Sequence, residues 1–295
     1  MNGSAAPLDR EHDRDPGAPT GPRRLLVAGP VASLWRRISP AAVKVPEITL
    51  IFWVIKVLTT AMGEATSDFL VYQVDPVIAV MLGAVGLAIA MALQLLVSRY
   101  RPAVYWLAVA MVAVFGTMAA DVVHIGLGVP YAVSTVFFAG CLAAIFVAWY
   151  ATERTLSIHS IYTARRELFY WATVMATFAL GTALGDMTAS TMRLGYYTSG
   201  VMFGILFVLP AIGYRFFRLN PILAFWTAYI LTRPFGASFA DWAGKERNLS
   251  GLGYGTGPVS IVLTVLIVIL VGYLTLREGA RSGDHAAGST SAERT

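Results

Sequence analysis

Four of the seven tryptophans in this chain of 295 residues stand in one frame. Trp53 is followed by Gly63 and Asp68, Trp106 by Gly116 and Asp121, Trp171 by Gly181 and Asp186, and Trp226 by Gly236 and Asp241. Each glycine comes ten residues after its tryptophan and each aspartate fifteen after. An aromatic residue precedes every one of the four: Phe52, Tyr105, Tyr170 and Phe225. Four residues beyond each glycine the chain is small again, at Ser67, Ala120, Gly185 and Ala240. A spacing that recurs in this way marks an internal duplication. It confines the chain to folds that four copies of one unit can build.

The unit reads as a pair of helices. Apolar runs close to the ~20 residues that span a bilayer occur at about 46–69, 76–97, 103–124, 130–150, 168–189, 198–217, 221–241 and 257–276. Proline marks many of the breaks, as at Asp75-Pro76, Arg101-Pro102, Val129-Pro130 and Asn220-Pro221. Hydrophobic residues make up 57% of the chain and charged ones 13%, whereas soluble domains are about a quarter charged. So few charges cannot cover a globule of this size, and the apolar surplus is expected to face lipid. The expected fold class is all-α: eight transmembrane helices over 44–278, arranged as four parallel two-helix repeats near 44–98, 99–151, 165–218 and 219–278. Because each unit holds an even number of spans, the tryptophan-bearing helices all run the same way.

Charge distribution orients the bundle. The two tails and the connections after the even spans hold most of the arginines, while the other side holds Arg193, Lys245 and Arg247. Positive loops stay cytoplasmic, so both termini are expected inside, and topology accounts for the net charge of +5 without a nucleic-acid partner. Residues 1–43 read as a mobile tail. Within it, Arg23 to Arg37 mimics a signal peptide but is split by Pro30, which favours a segment lying on the lipid surface. Residues 279–295 read as a disordered tail. The lone Cys141 excludes a disulfide framework.

Several of these stretches resemble a bacterial family of integral membrane proteins of unknown function, built from four tandem two-helix repeats with a characteristic tryptophan. Lys44-Val45-Pro46-Glu47-Ile48-Thr49, Lys56, Gly63-Glu64 and Asp68 carry the likeness at the start. Thr232-Arg233-Pro234-Phe235-Gly236-Ala237-Ser238 and Ala240-Asp241-Trp242 carry it in the fourth unit. The likeness covers about 44–276. It implies the same architecture, in a bacterial cytoplasmic (inner) membrane, and it implies no activity.

Helical geometry gives each recurring position a task. The glycine and the small residue after it form a stripe along which two backbones approach; Gly63, Gly116, Gly181 and Gly236 are therefore packing candidates. The aspartates fall near the outer helix ends, where a carboxylate opposes the helix dipole. They gather either as an acidic mouth for a cation or protons, or as four caps that bond to loop backbone. The tryptophans form either an interfacial belt or a lining that closes the inner end of a pathway.

Charges confined to single units are more informative. Lys56, Glu64 and Arg233 lie deep in apolar runs, and an unpaired charge there costs several kcal/mol. Matching places hold Val109, Val174 and Tyr229 for Lys56, Thr117, Thr182 and Ala237 for Glu64, and Thr60, Ala113 and Phe178 for Arg233. Glu64 and Arg233 are expected to pair if the four faces converge, and Lys56 to reach toward Glu47 or headgroups. His124 and His159 are isolated, and no pair of histidines has metal-ligand spacing. The run Gly251 to Gly257 is read as a flexible outer loop. No catalytic or phosphate-binding motif supports an enzyme, and no metal or cofactor is expected. The leading expectation is a transporter for a small solute or cation, with Glu64, Asp68, Asp121, Asp186, Asp241, Arg233 and Lys56 as its candidate site. The alternative is a scaffold, sensor or partner subunit in the bilayer whose buried charges are structural.

Overall fold

A computed structural model describes the backbone of residues 43–292 and the side chains of 43–279. The surface-lying segment read in the N-terminal tail falls outside these residues. Among the described residues every regular element is helical, and eight helices are long: α1 Leu50–Gln73, α2 Pro76–Leu96, α3 Pro102–Asp121, α4 Tyr131–Glu153, α5 Ala164–Asp186, α6 Gly195–Phe217, α7 Pro221–Gly244 and α8 Thr256–Ala292. Local chemistry sets several starts. The Asp75 carboxylate accepts from the amides of Val77 (2.9 Å) and Ile78 (3.3 Å) ahead of Pro76. Asn220 does the same for Ile222 (2.9 Å) and Leu223 (3.2 Å) ahead of Pro221. Each cap satisfies amide groups that a helix start leaves bare. No proline follows Pro258, and α8 stays helical well past Gly279, where composition predicts a disordered tail.

Seven of the eight are long and apolar enough to cross a membrane. The exception is α7, which the sequence reading counts as a span. Its polar residues, including Thr232, Arg233, Ser238 and Asp241, are buried against neighbouring helices. Hydropathy cannot register that they face protein.

Two concentric rings result. Helices α1, α3, α5 and α7 pack in a closed inner square, each against the next and α7 against α1. The even helices lie outside and bury little of their surface. Their pairing is offset from the sequence repeat: α2 lies along α3, α4 along α5, α6 along α7, and α8 along α1. The packed pair therefore joins two successive repeats, and the last helix closes on the first.

The inner square is jointed at the repeat glycines. A Cβ on Gly63 would strike Ala113; on Gly116, Phe178; on Gly181, Arg233; on Gly236, Thr60. In every case the obstacle is the residue seven places after the next unit's tryptophan. One joint is used four times around a closed ring, and only glycine permits such backbone approach.

The aromatic positions close a second ring at the other end of the same helices. Phe52 meets Trp106 (centroids 5.7 Å apart), Tyr105 meets Trp171 (5.6 Å), Tyr170 meets Trp226 (6.2 Å) and Phe225 meets Trp53 (5.7 Å). Trp106, Trp171 and Trp226 are buried in protein and Trp53 is half-buried. The tryptophans therefore pack against protein rather than standing out as a lipid-facing belt: Trp53 also packs on Phe207 of α6, and Trp226 on Trp149 of α4 with its Nε1–H donated to Leu156 O at 2.9 Å.

Candidate functional site

Residues four apart on the inner helices stack in layers about 6 Å apart. The middle layers hold the single-unit charges. Arg233 leaves α7 over the bare face of Gly181 and is fully buried. Its Nη2 donates to Glu64 Oε2 at 2.6 Å, to Thr182 Oγ1 at 2.7 Å, and to Thr117 Oγ1. Its Nη1 donates to the Thr60 carbonyl at 3.4 Å. Glu64, Thr117 and Thr182 occupy the same frame position in the first three units. Each threonine hydroxyl donates down its own helix, Thr117 to Ala113 O (2.9 Å) and Thr182 to Phe178 O (3.1 Å). Their lone pairs are thereby left for the guanidinium. One cation ties all four inner helices together.

Lys56 lies one layer toward the tryptophan end. It does not reach Glu47 or headgroups; it turns into the bundle centre. Its Nζ sits 4.2 Å from the Phe178 ring centroid and 4.3 Å from that of Tyr229, with no hydrogen-bond partner. Aromatic faces attract an ammonium by about 0.5–2 kcal/mol, well short of replacing an acceptor.

The four aspartates gather at the opposite end, and none caps its helix. Asp68 and Asp241 lie inside α1 and α7. Asp121 and Asp186 each lead into a π-helical turn, Val122–Gly126 and Met187–Thr191, without a side-chain capping bond. The capping alternative fails for this reason. One oxygen from each of Glu64, Asp68 and Asp241 lies within 4.8 Å of the others, a spacing compatible with a shared cation. Lys245 closes this cup, its Nζ 3.2 Å from Asp241 Oδ1 and 3.5 Å from Asp68 Oδ2, and 5.0 Å from the Tyr196 ring centroid. Burial alone would lower the pKa of Lys245, but Asp241, Asp68 and Asp186 outweigh it and hold the ammonium well above the ordinary lysine value.

The glycine run that follows is not a loose loop. Leu252, Gly253, Tyr254 and Gly255 donate to the carbonyls of Trp242 (2.6 Å), Lys245 (2.9 Å), Ala243 (3.1 Å) and Gly244 (3.1 Å). Gly253 (φ +81°) and Gly255 (φ +85°) supply the left-handed turns this return needs. The strap satisfies the end of α7 and fixes the backbone from which Lys245 reaches the cup.

The repeat itself is diagnostic. The Repeat of Unknown Function (DUF347) matches residues 51–100, 104–155, 169–219 and 224–280. The chain belongs to that family. No curated protein and no solved structure matches it. Each DUF347 repeat here runs from a tryptophan helix through the even helix after it, so the repeat boundaries fall between helices that pack together.

The tryptophan end carries groups that the sequence reading missed. Lys44 Nζ bonds Glu167 Oε2 at 2.7 Å, and Gln94 Nε2 bonds Glu167 Oε1 at 3.1 Å; all three residues are buried. Gln94, a lone amide in an apolar run, was the available signal. Nearby, a cavity of about 310 Å³ is lined by Glu47, Tyr100, Trp106 and Arg277 among others. Between it and Lys56 stand the buried phenols Tyr105, Tyr170 and Tyr229, with Tyr105 and Tyr170 joined hydroxyl to hydroxyl.

Proposed function

We propose that this DUF347 protein is an integral membrane protein that takes a small cation into the acidic cup and carries it across a bilayer. The aspartate end faces outward and both termini lie in the cytoplasm, in a bacterial inner membrane; the arginine-rich connections at the tryptophan end support this orientation. One observation carries the reading. Glu64 pairs with Arg233, Asp68 and Asp241 share Lys245, and one oxygen from each of the three carboxylates lies within 4.8 Å of the others, so three acidic side chains face two basic ones. A buried surplus of negative charge must take up cations or protons. Lys245 holds the place of the incoming ion and leaves when it binds.

Uptake into proteoliposomes tests this directly, with Na⁺, K⁺, Mg²⁺ and Mn²⁺ as probes. Glu64→Gln and Asp68→Asn should each abolish uptake of the transported ion. Unchanged uptake in both variants removes these carboxylates from the mechanism. Absence of uptake for every probe removes transport.

The filled centre favours a second reading, a non-transporting scaffold or sensor. Arg233 and Glu64 satisfy one another across the bundle and lock the fourth unit to the first. Under this reading the variants lose stability together and no flux exists to change.

A further inference from the structure

We propose that the tryptophan-end cavity of about 310 Å³ seats the headgroup of a phospholipid that carries a primary ammonium beside its phosphate, with Glu47 taking the ammonium and Arg277 the phosphate. The inference rests on the reading above only in placing the chain in a bilayer; it needs no transport.

The walls come from three places. The segment before α1 supplies Glu47 and Thr49, the connection from α2 to α3 supplies Tyr100, and α8 supplies Arg277. The first wall is fastened down. The Lys44 amide donates to Ile161 O at 3.2 Å, its Nζ donates to Glu167 Oε2 at 2.7 Å, and Val45 and Pro46 are buried. The last wall is held because α8 packs along α1. A chamber built on fixed walls costs a ligand little ordering when it binds.

The charges at its mouth have no task in the fold. Glu47 and Arg277 are exposed and border one cavity from different walls, yet neither makes an ion pair with the other or with any described residue. Glu278, next to Arg277, already has an interaction of its own. Thr49 caps α1, its Oγ1 accepting from the Phe52 amide at 3.4 Å, and Glu47 stands outside that cap. Arg277 lies well short of the end of α8, out of reach of its terminal carbonyls. Opposite charges held apart across one chamber complement a ligand that carries both signs. A carboxylate accepts from an ammonium N–H, and a guanidinium donates to a phosphate, in charge-assisted bonds. A quaternary ammonium has no N–H to offer, so the carboxylate selects the primary amine.

The depth of the cavity calls for more than a bound water, whose share of liquid volume is about 30 Å³. Trp106 and Tyr100 line it, and the indole N–H and the phenol hydroxyl are buried without a hydrogen-bond partner. The matching N–H of Trp226 has its acceptor in Leu156 O. Orphaned donors are costly, and a phosphate or ester oxygen lodged at the floor is the acceptor they lack.

The surroundings select a lipid over a soluble zwitterion. Leu50, next in sequence to Thr49, is 81% exposed, and Leu276, next to Arg277, is 77% exposed. Apolar surface therefore begins where the charged mouth ends. A headgroup in the cavity leaves its acyl chains against that surface, where each buried methylene adds to the affinity.

The test is thermal unfolding of the delipidated protein in detergent, with titrated dioleoyl phosphatidylethanolamine, phosphatidylcholine and phosphatidylglycerol. The ethanolamine lipid should raise the melting temperature with a midpoint at about a tenth of the concentration that the other two require. Glu47→Gln should erase that preference, and Arg277→Gln should weaken binding of all three. Without lipid, both variants should melt with the wild-type protein. Equal midpoints for the three lipids in the wild-type protein overturn the site, and so does a preference that survives Glu47→Gln. Free phosphoethanolamine that stabilises as well as the lipid at equal concentration overturns the lipid as ligand. A protein that stays monodisperse without detergent removes the bilayer and this site with it. Absent cation uptake beside an intact lipid preference removes the cup and leaves the headgroup site standing.

Discussion

Gly181 of α5 lies directly under the Cβ and Cγ of Arg233 on α7. The missing side chain is what lets the guanidinium pass between the helices to Glu64, Thr117 and Thr182. Gly181→Ala should therefore both overpack the joint, at about 1–3 kcal/mol, and displace the arginine. Gly185 stands one turn further on, where a Cβ would meet Pro234 at an ordinary 3.8 Å. Its frame partners are Ser67, Ala120 and Ala240, all of which carry a Cβ. Gly185→Ala should be neutral, or gain up to about 1 kcal/mol from helix propensity. Thermal unfolding in detergent separates the two.

The Glu64–Arg233 pair should couple strongly. Removing one partner leaves a buried charge unmatched, at about 3–5 kcal/mol, whereas removing both leaves none. Glu64→Gln and Arg233→Leu should each destabilise by that order, and the double variant by much less than their sum. A double-mutant cycle on unfolding free energies measures the difference. Additive losses would mean that the hub is held by Thr117 and Thr182 rather than by the carboxylate.

What the sequence displayed and what it hid follow from the same physics. The frame of Trp53, Gly63 and Asp68 was legible because duplication copies spacing, and spacing on a helix fixes which positions share a face. The approach of Glu64 to Arg233 could be anticipated only as a consequence of convergence. The offset pairing of α2 with α3 could not be read at all, because a repeat boundary in sequence says nothing about which side of it buries more surface. Lys44 and Glu167 lie 123 residues apart; the lysine blended into a run of topology-setting charges and the glutamate into a helix start. Lys56 was misread because a lysine stem long enough to snorkel is also long enough to turn inward.

The offset has a consequence for where the chain can be cut. Since α8 packs on α1 as α2 does on α3, the ring has no privileged opening. A circular permutant that joins the end of α8 to the start of α1 and opens between Val97 and Arg101 should fold, with a melting temperature near that of the original. Deleting α8 should instead strip one flank of α1 and lower stability far more than the cut does. Monodispersity and thermal unfolding of the two proteins give the comparison. A permutant that aggregates while the α8 deletion stays folded would contradict the closed ring.

Lys245 gives the sharpest prediction about the cup. Its pKa is held above the ordinary lysine value because the neighbouring aspartates outweigh its burial. The ammonium therefore stays charged in the folded protein beyond about pH 10, the unfolded value, and its side of the pairing is lost only as pH rises through the higher folded value. At fixed pH, Lys245→Met should leave Asp68 and Asp241 without their tethered cation and bind an added one more tightly. Competition with Mg²⁺ or Na⁺, followed as a concentration-dependent rise in melting temperature, should have its midpoint at lower ion concentration in the variant. A midpoint unchanged by the substitution would mean that the ammonium and the ion do not share the cup.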